Sequence, residues 1–308
     1  MAEGTTINIQ KIAIDLGYGD TKVKTSKKEF KFASAVEKRK ETQTEFSEKA
    51  EQDVYVFNGK RYTVGDRALT NAVSTRGFNF LVKYSPIVIY HAIKKAGLDT
   101  SKPIELVTGL SIVNWAEREE FLKAIKVIQV DGESIEFESI TLRPQGRGIF
   151  DDYEGDKSGI VCVSDIGYNT YDFLVYENGE PNQELSYATK KGANEIIIDI
   201  QTKIKKRFQI DVSEQTAKDI FIKGEIEIYG EKQSLTDEIE DAKEDYTNYI
   251  LDEMRSQRSD LLKTARTVIF SGGGAYFIQD TKIMPKNVAF SKKPYEFANV
   301  RGYFNGSK

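Results

Sequence analysis

The sequence predicts an α/β fold built from two related lobes. A short pattern, Asp-x-Gly-Tyr after an apolar strand, occurs twice, at Asp15-Leu16-Gly17-Tyr18 and Asp165-Ile166-Gly167-Tyr168, 150 positions apart. Strand-like runs give way to helix-like runs twice over, the pattern of an α/β architecture. A chain of 308 residues is long enough for two medium domains, each with its own hydrophobic core. No Pro/Ser-rich linker or low-complexity stretch interrupts it. The expected division is residues 1–150 plus 288–308 for lobe I, with a small subdomain at about residues 30–75, and residues 151–287 for lobe II.

Residues 11–24 read as a strand, a tight glycine turn and a second strand. A further strand is expected over 29–36 and a polar loop over 39–53. Residues 54–64 form a hairpin, because two alternating runs flank Asn58-Gly59, the dipeptide suited to a type I′ turn. A helix is expected over 85–96, a buried strand over 103–108, a helix over 114–125 carrying Trp115, and strands over 126–142 turning at Asp131-Gly132. Residues 160–176 repeat the opening theme and turn at Asn178-Gly179. The clearest helix spans 192–208, where Ile196, Ile200, Ile204 and Phe208 recur every fourth position as a core-facing stripe. A shorter helix follows over 212–223, then a long charged one over 235–264. Ser234 and Asp237 resemble a capping box there, and Ile239, Ala242, Tyr246, Ile250 and Met254 supply an apolar stripe. Residues 268–278 read as a buried strand, the run Ser271-Gly272-Gly273-Gly274 and a helix. Residues 294–304 read as a last short helix, with Phe297, Val300 and Phe304 on one side.

Composition narrows the function classes. Hydrophobic residues make up 39% and charged residues 30%, with a net charge of −4 and both signs interspersed, so direct nucleic-acid binding is not expected. The single cysteine, Cys162, allows no internal disulfide and sits in an apolar run. The single histidine, His91, has no Cys or His companions for zinc, and no Gly-x-Ser-x-Gly elbow supports a Ser-His-Asp triad. No run approaches the ~20 apolar residues of a membrane span. Residues 1–10 lack the pattern of a signal peptide, so a cytoplasmic protein is expected.

The two Asp-x-Gly hairpins carry the chemistry. Glycine lets backbone N–H groups come close to phosphate oxygens. A carboxylate at the strand end would repel phosphate unless a divalent cation stood between them, and Mg²⁺ is typically held by one or two carboxylates together with phosphates and water. Asp15 and Asp165, one per lobe, fit that role, and Lys22 can reach the phosphates as a point charge. Strand 268–270 running into Gly272-Gly273-Gly274 offers a flat surface free of side chains on which a nucleoside could stack, with a helix N-terminus nearby. The run is neither a Walker A loop nor a Rossmann fingerprint.

Together these segments resemble the ATPase signatures of the actin superfamily, which includes actin, heat-shock chaperones and sugar kinases. Residues 12–22 look like its first phosphate loop, 163–173 its second and 268–277 its adenosine motif. Residues 143–148, Arg-Pro-Gln-Gly-Arg-Gly, and 297–304, Phe-Ala-Asn-Val-Arg-Gly-Tyr-Phe, look like its two inter-lobe connections. The latter and the loop Asp-Leu-Gly-Tyr-Gly-Asp-Thr-Lys are especially similar to plasmid-segregation actins of the ParM type and to related bacterial and archaeal actin-like proteins. The resemblance implies an actin-like ATPase fold, two RNase H-like lobes around a nucleotide cleft. It implies that ATP or ADP binds with Mg²⁺, coordinated through water by Asp15 and Asp165. Gly17, Tyr18, Gly19 and Lys22 would hold the phosphates in lobe I, and Gly167, Asn169 and Thr170 in lobe II. Gln145 stands where the family places a residue that orients the attacking water, and Asp165 would assist. Gly192 would approach the ribose, and Gly272, Gly273, Gly274 and Tyr276 would border the adenosine. The chain departs from actin at Asp20, an acid in the first loop, and at Tyr18, where actin has a small hydroxyl residue.

The expected function is therefore ATP hydrolysis coupled to assembly into a homopolymeric filament. It would act in plasmid or DNA segregation through a DNA-binding adaptor protein, without direct contact to nucleic acid or membrane. A small-molecule kinase of the same superfamily would be expected to place an Asp near the first connection, where this chain has Gln145. A chaperone would need a substrate-binding domain after residue 308. The same signatures are compatible with a cytoskeletal actin homologue outside segregation and with a non-enzymatic nucleotide-binding module.

Overall fold

The computed structural model describes residues 9–39, 52–73, 77–279, 284 and 286–306. Most of the loop expected over 39–53 and most of the first ten residues lie outside them. The chain forms two compact units, Met1–Glu154 with Glu296–Lys308, and Gly155–Tyr295.

In the first unit, β1 (Gln10–Leu16), β2 (Asp20–Thr25) and β3 (Glu29–Ala33) run as an antiparallel meander. A small sheet follows from β4 (Val36–Lys38), β5 (Val54–Phe57) and β6 (Lys60–Val64). Asn58 and Gly59 turn its hairpin with φ of 49° and 69°, the double left-handed geometry the dipeptide favours. Helix α1 (Phe78–Ala96) starts well before the expected residue 85 and runs through Pro86. An internal proline costs about 3 kcal/mol. Here the helix buries Ile87, Val88, Ile89, Tyr90 and Ile93 almost completely, and each such side chain is worth about 1.5–3 kcal/mol, so packing outweighs the missing hydrogen bond. Gly97 closes it in the left-handed region at φ 73°. β7 (Ile104–Leu110) lies parallel to β1. The expected helix over 114–125 divides into a 3₁₀ turn, Ile112–Glu117, and α2 (Arg118–Ile125). The hairpin of β8 (Val127–Val130) and β9 (Glu133–Glu136) turns at Asp131-Gly132 as expected. It leads to β10 (Ser139–Pro144), parallel to β7, and to α3 (Arg147–Asp152). The main sheet has the order β10-β7-β1-β2-β3.

The second unit uses the same plan. β11 (Ile160–Ile166), β12 (Tyr171–Glu177) and β13 (Glu180–Thr189) form an antiparallel meander. Helices α4 (Asn194–Phe208) and α5 (Glu214–Lys223) follow, the latter capped by Ser213, whose hydroxyl accepts from the Thr216 amide. A hairpin absent from the sequence reading comes next, β14 (Glu225–Ile228) and β15 (Glu231–Ser234). Then α6 (Thr236–Thr264) buries Ile239, Ala242, Tyr246, Ile250 and Met254 as expected. The expected capping box does not form. Ser234 belongs to the β14–β15 ladder opposite Glu225, and Leu235 occupies the N-cap with no side-chain bond. The helix breaks at Arg258, whose guanidinium donates to the carbonyls of Leu185 at 2.8 Å and Glu184 at 3.1 Å on β13. β16 (Thr267–Ser271) is parallel to β11. The helix expected after the triple glycine is a single turn, α7 (Ala275–Ile278). β17 (Val288–Phe290) is parallel to β16. This pairing carries residues 288–290 into the second unit, where the sequence reading had placed 288–308 with the first. The sheet order is β13-β12-β11-β16-β17. An antiparallel meander with two parallel strands beyond its first member is thus common to both units.

The chain then returns to the first unit through a 3₁₀ turn, Tyr295–Phe297, and α8 (Ala298–Asn305), which buries Val300. Helices α3 and α8 cross at glycines. A methyl group on Gly302 would strike the Gly148 carbonyl, and one on Gly148 would strike the Asn299 carbonyl. Among the described residues no helix is long and apolar enough to cross a membrane. Cys162 is buried, and burial pushes its thiol up to about 12.

His91 on α1 is fully buried. Its Nδ1 is 2.9 Å from the Tyr55 hydroxyl, and its Nε2 faces the backbone at Gly65 without a hydrogen-bond partner. Desolvation, with a smaller push from Lys95, lowers its pKa to about 3 and outweighs the Asp53 carboxylate 3.9 Å away. Unfolded histidine titrates near 6.5, so between these values only the unfolded chain takes up the proton. Stability is therefore complete above about pH 6.5 and falls as pH drops toward 3, by up to about 1.4 kcal/mol per pH unit. Denaturant midpoints measured from pH 7 to pH 4 should show this slope, and in His91→Gln its one-proton component should vanish.

Candidate functional site

In the first unit Asp15, the last residue but one of β1, is buried, and the chain turns through 17–19 into β2. The antiparallel register sets Asp15 opposite Lys22, so both side chains leave the same face of the ladder. The Lys22 ammonium folds over the turn, 3.1 Å from where a Cβ on Gly17 would stand; that Cβ would also lie 2.6 Å from the Asp20 carbonyl. The turn is tied from outside. Ser34 donates its hydroxyl to the Gly17 carbonyl at 2.5 Å and its amide to the Gly19 carbonyl at 2.9 Å, and its hydroxyl lies 2.7 Å from that of Thr21. The Tyr18 hydroxyl accepts from Asn114 at 3.1 Å, and Asp20 pairs with Lys31 at 3.2 Å. From the end of β10, Gln145 donates its side-chain amide to the Asp15 carboxylate at 2.9 Å. Asp15, Gly17, Tyr18, Gly19, Lys22 and Gln145 are thus brought together within one unit.

The second unit repeats the hairpin with the register preserved. Asp165 stands opposite Asp172, as Asp15 stands opposite Lys22. Its turn is held by backbone bonds from two other segments. Gly167 donates to the Thr170 carbonyl at 2.9 Å. Ala193 donates to the Gly167 carbonyl at 2.9 Å, Asn194 to that of Tyr168 at 2.8 Å, and Gly274 to that of Ile166 at 3.0 Å. The Tyr168 hydroxyl donates to Glu214 at 2.7 Å, and the Lys218 ammonium lies 4.2 Å from the centre of its ring. Asp165, Gly167, Asn169, Thr170, Gly192 and the triple glycine therefore form one cluster.

The expected nucleotide glycines divide by what surrounds them. A methyl on Gly192 would strike the Tyr168 carbonyl, one on Gly272 the Ile166 carbonyl, and one on Gly274 the Ile166 side chain; Gly272 also has φ 81°. Close backbone packing accounts for glycine at 192 and 272, and the Ile166 side chain for glycine at 274. Gly273 has open space where its Cβ would be, so nothing in the fold requires glycine there. Tyr276 lies against Tyr295, ring centroids 4.7 Å apart, and its hydroxyl accepts from the Tyr295 amide.

Sequence reasoning missed Ser34, Thr21, Asn114 and Asp172. Asp172 is almost wholly buried. Its sequence signal was its place 150 positions after Lys22, the offset that also separates the two hairpin aspartates. Among the described residues no group of three or more His, Cys, Asp or Glu is placed to hold a metal ion. Asp15 in the first unit and Asp165 in the second are each the kind of oxygen donor that Mg²⁺ takes.

Comparison with known proteins agrees with this geometry. The model of the N-terminal domain of actin-like proteins matches residues 13–148, and that of the C-terminal domain of archaeal MreB-like actin homologues matches residues 163–282. The crystal structure of Ta0583, an archaeal actin homologue, superposes with a TM-score of 0.80 at 22% identity, covering 97% of this chain and 99% of that one. Its complex with ADP gives 0.77 at 22%, with the same coverage. A 15-stranded ParM filament from Clostridium botulinum gives 0.76 at 20%, covering 97% and 99%. No curated protein matches the chain. The fold is that of the actin-like ATPases. With both domain models matched in order, the chain belongs to the actin-like protein family of bacteria and archaea.

The glycine environments give a direct contrast. Alanine at Gly192, Gly272 or Gly274 should lower stability by about 1–3 kcal/mol or more, since backbone at the first two and the packed Ile166 side chain at the third must move to admit it. Alanine at Gly273 should leave it within about 0.5 kcal/mol. Thermal melts of the four variants check this.

Proposed function

We propose that this chain hydrolyses ATP and couples hydrolysis to its own assembly into filaments. The observation that carries the reading is the pair of matched hairpins, in which a strand-end aspartate and a bare glycine turn recur in identical register. Each loop is suited to grip the phosphates of a nucleotide. Gly17, Tyr18, Gly19 and Lys22 hold phosphates from the first unit, and Gly167, Asn169 and Thr170 from the second. The base rests at Gly273, the one member of the triple glycine with open space beside it, with Gly272, Gly274, Gly192 and Tyr276 around the nucleoside. Asp15 and Asp165 are the residues that would hold Mg²⁺ through water, and the ion would supply neutralisation of phosphate charge.

The hydrogen bond from Gln145 to Asp15 gives Gln145 a defined task. A carboxylate only accepts, so the amide NH₂ of Gln145 must face Asp15. The amide oxygen is then turned away and is suited to accept a hydrogen bond from the attacking water, whose proton passes to the departing phosphate. Water adds to the terminal phosphorus, ADP leaves, and the products are ADP and phosphate. Positioning by Gln145 and charge neutralisation by Lys22 supply the chain's own part of the catalysis. The filament of the Clostridium botulinum relative supports self-assembly. The finer reading is a cytoplasmic segregation filament that reaches plasmid DNA through a DNA-binding adaptor.

Gln145→Ala and Asp165→Ala should each slow phosphate release from ATP by roughly 100-fold or more, since each removes a positioning contact of the reacting groups. ADP affinity should change little in Gln145→Ala. Unchanged release in both variants, under conditions where the parent chain pellets with ATP, would refute the assignment.

Tyr229, at the tip of the β14–β15 hairpin, is fully exposed, and Ile222 is 79% exposed. Tyr229 also holds a left-handed φ of 50°, costing about 1 kcal/mol that asparagine largely avoids. An exposed aromatic kept at that cost fits a contact with another copy. Tyr229→Asn should raise the melting temperature and reduce the pelleted fraction in ATP; a melting temperature that falls, or unaltered pelleting, would count against it.

A further inference from the structure

The two helices that cross at glycines contain a second internal repeat. Residues 145–150, Gln-Gly-Arg-Gly-Ile-Phe, align with 299–304, Asn-Val-Arg-Gly-Tyr-Phe, at a constant offset of 154 positions, sharing Arg-Gly-x-Phe. Helix α3 follows the last parallel strand of the first sheet and α8 follows that of the second, so the repeat continues the duplication seen in the sheets. In this alignment Asn299 is the counterpart of Gln145. Both end in a carboxamide, yet they are used differently. Gln145 reaches Asp15, whereas the buried Asn299 turns its side-chain oxygen to the amide of Gly146, the residue after Gln145, and accepts from it at 2.9 Å.

The position of that bond matters. Gly146 has φ 90°, a left-handed bend that ends β10 and opens α3. The amide of Gln145 itself donates to the Leu110 carbonyl at 2.9 Å. Both peptide N–H groups flanking the Gln145 Cα are therefore fixed, one by β7 and one by Asn299. With the backbone fixed on both sides, the direction in which the Gln145 side chain leaves is fixed too. Asn299 is itself held in place. The Gly148–Gly302 contact locks α8 to α3, and Arg301 pairs with Glu29 at 3.0 Å and Asp152 at 3.9 Å.

We propose that Asn299 is a positioning residue for hydrolysis: it holds the bend at Gly146 so that Gln145 stays bonded to Asp15 with its amide oxygen directed at the attacking water. The inference rests on the reading of Gln145 given above. Asn299→Leu keeps the approximate shape and removes the acceptor, and Asn299→Asp keeps an acceptor in place. Phosphate release from Mg-ATP and equilibrium binding of ADP are measured for both, in the parent chain and in Gln145→Ala. Asn299→Leu should lower kcat roughly 10- to 100-fold, with KM for ATP and ADP affinity nearly unchanged, because displacement of a reacting group by about 1 Å has effects of that size. Asn299→Asp should recover most of the loss. In the Gln145→Ala background Asn299→Leu should add nothing, since the residue it acts through is gone.

An equal loss from Asn299→Leu in both backgrounds, no loss in the parent, or ADP affinity falling in step with kcat overturns this inference alone. A parent chain that releases no phosphate, or a Gln145→Ala variant that turns over normally, overturns the function proposed for the site and this inference with it.

Discussion

A tight turn built on glycine has to be held still by residues outside itself, and much of the structure around the two hairpins is arranged around that constraint. Glycine at the turn removes the steric obstacle but also removes the side-chain packing that would hold a loop still. The missing rigidity must come from elsewhere. In the first unit it comes from Ser34, which bonds the carbonyls of Gly17 and Gly19, and from Asn114 on Tyr18. In the second it comes from the start of α4 and the triple glycine, which bond the carbonyls of Ile166, Gly167 and Tyr168. Spending loop carbonyls on neighbouring elements fixes the turn from behind, and the close approaches at Gly192, Gly272 and Gly274 are the steric consequence.

What could be read from the sequence follows from the range of each interaction. Hairpins at Asn58-Gly59, Asp131-Gly132 and Asn178-Gly179 were legible because the turn residues and the alternation beside them lie within one stretch of chain. The buried stripes of α4 and α6 were legible for the same reason. The β14–β15 hairpin was not, because Tyr229 stands where a turn of this kind calls for Asn, Asp or Gly. The start of α1 was misplaced because Pro86 marks a helix start by local rules, and only tertiary burial overrides them. The functional site divides the same way. The Asp-x-Gly hairpins announce themselves by repetition, but Ser34, Asn114 and Asn299 act on residues 17, 96 and 153 positions away, and nothing local marks a hydroxyl or carboxamide for such a task.

The duplication also shows how one plan yields two roles. Both sheets keep the same strand order and the same hairpin register, so position 22 in the first corresponds to position 172 in the second. The residues there are opposite in charge. A lysine stands beside Asp15 in the first loop, whereas a buried aspartate stands beside Asp165 in the second. Position 145 and its counterpart 299 diverge likewise: one carboxamide faces the carboxylate of the site, and the other supports the backbone from which the first extends. A symmetric pair of loops would hold a nucleotide by two equivalent grips, but hydrolysis is not symmetric. It needs charge compensation and a directed water, and on the function proposed for this site the opposite charges at 22 and 172, with the unequal carboxamides at 145 and 299, are the places where this chain departs from its own repeat to meet that need.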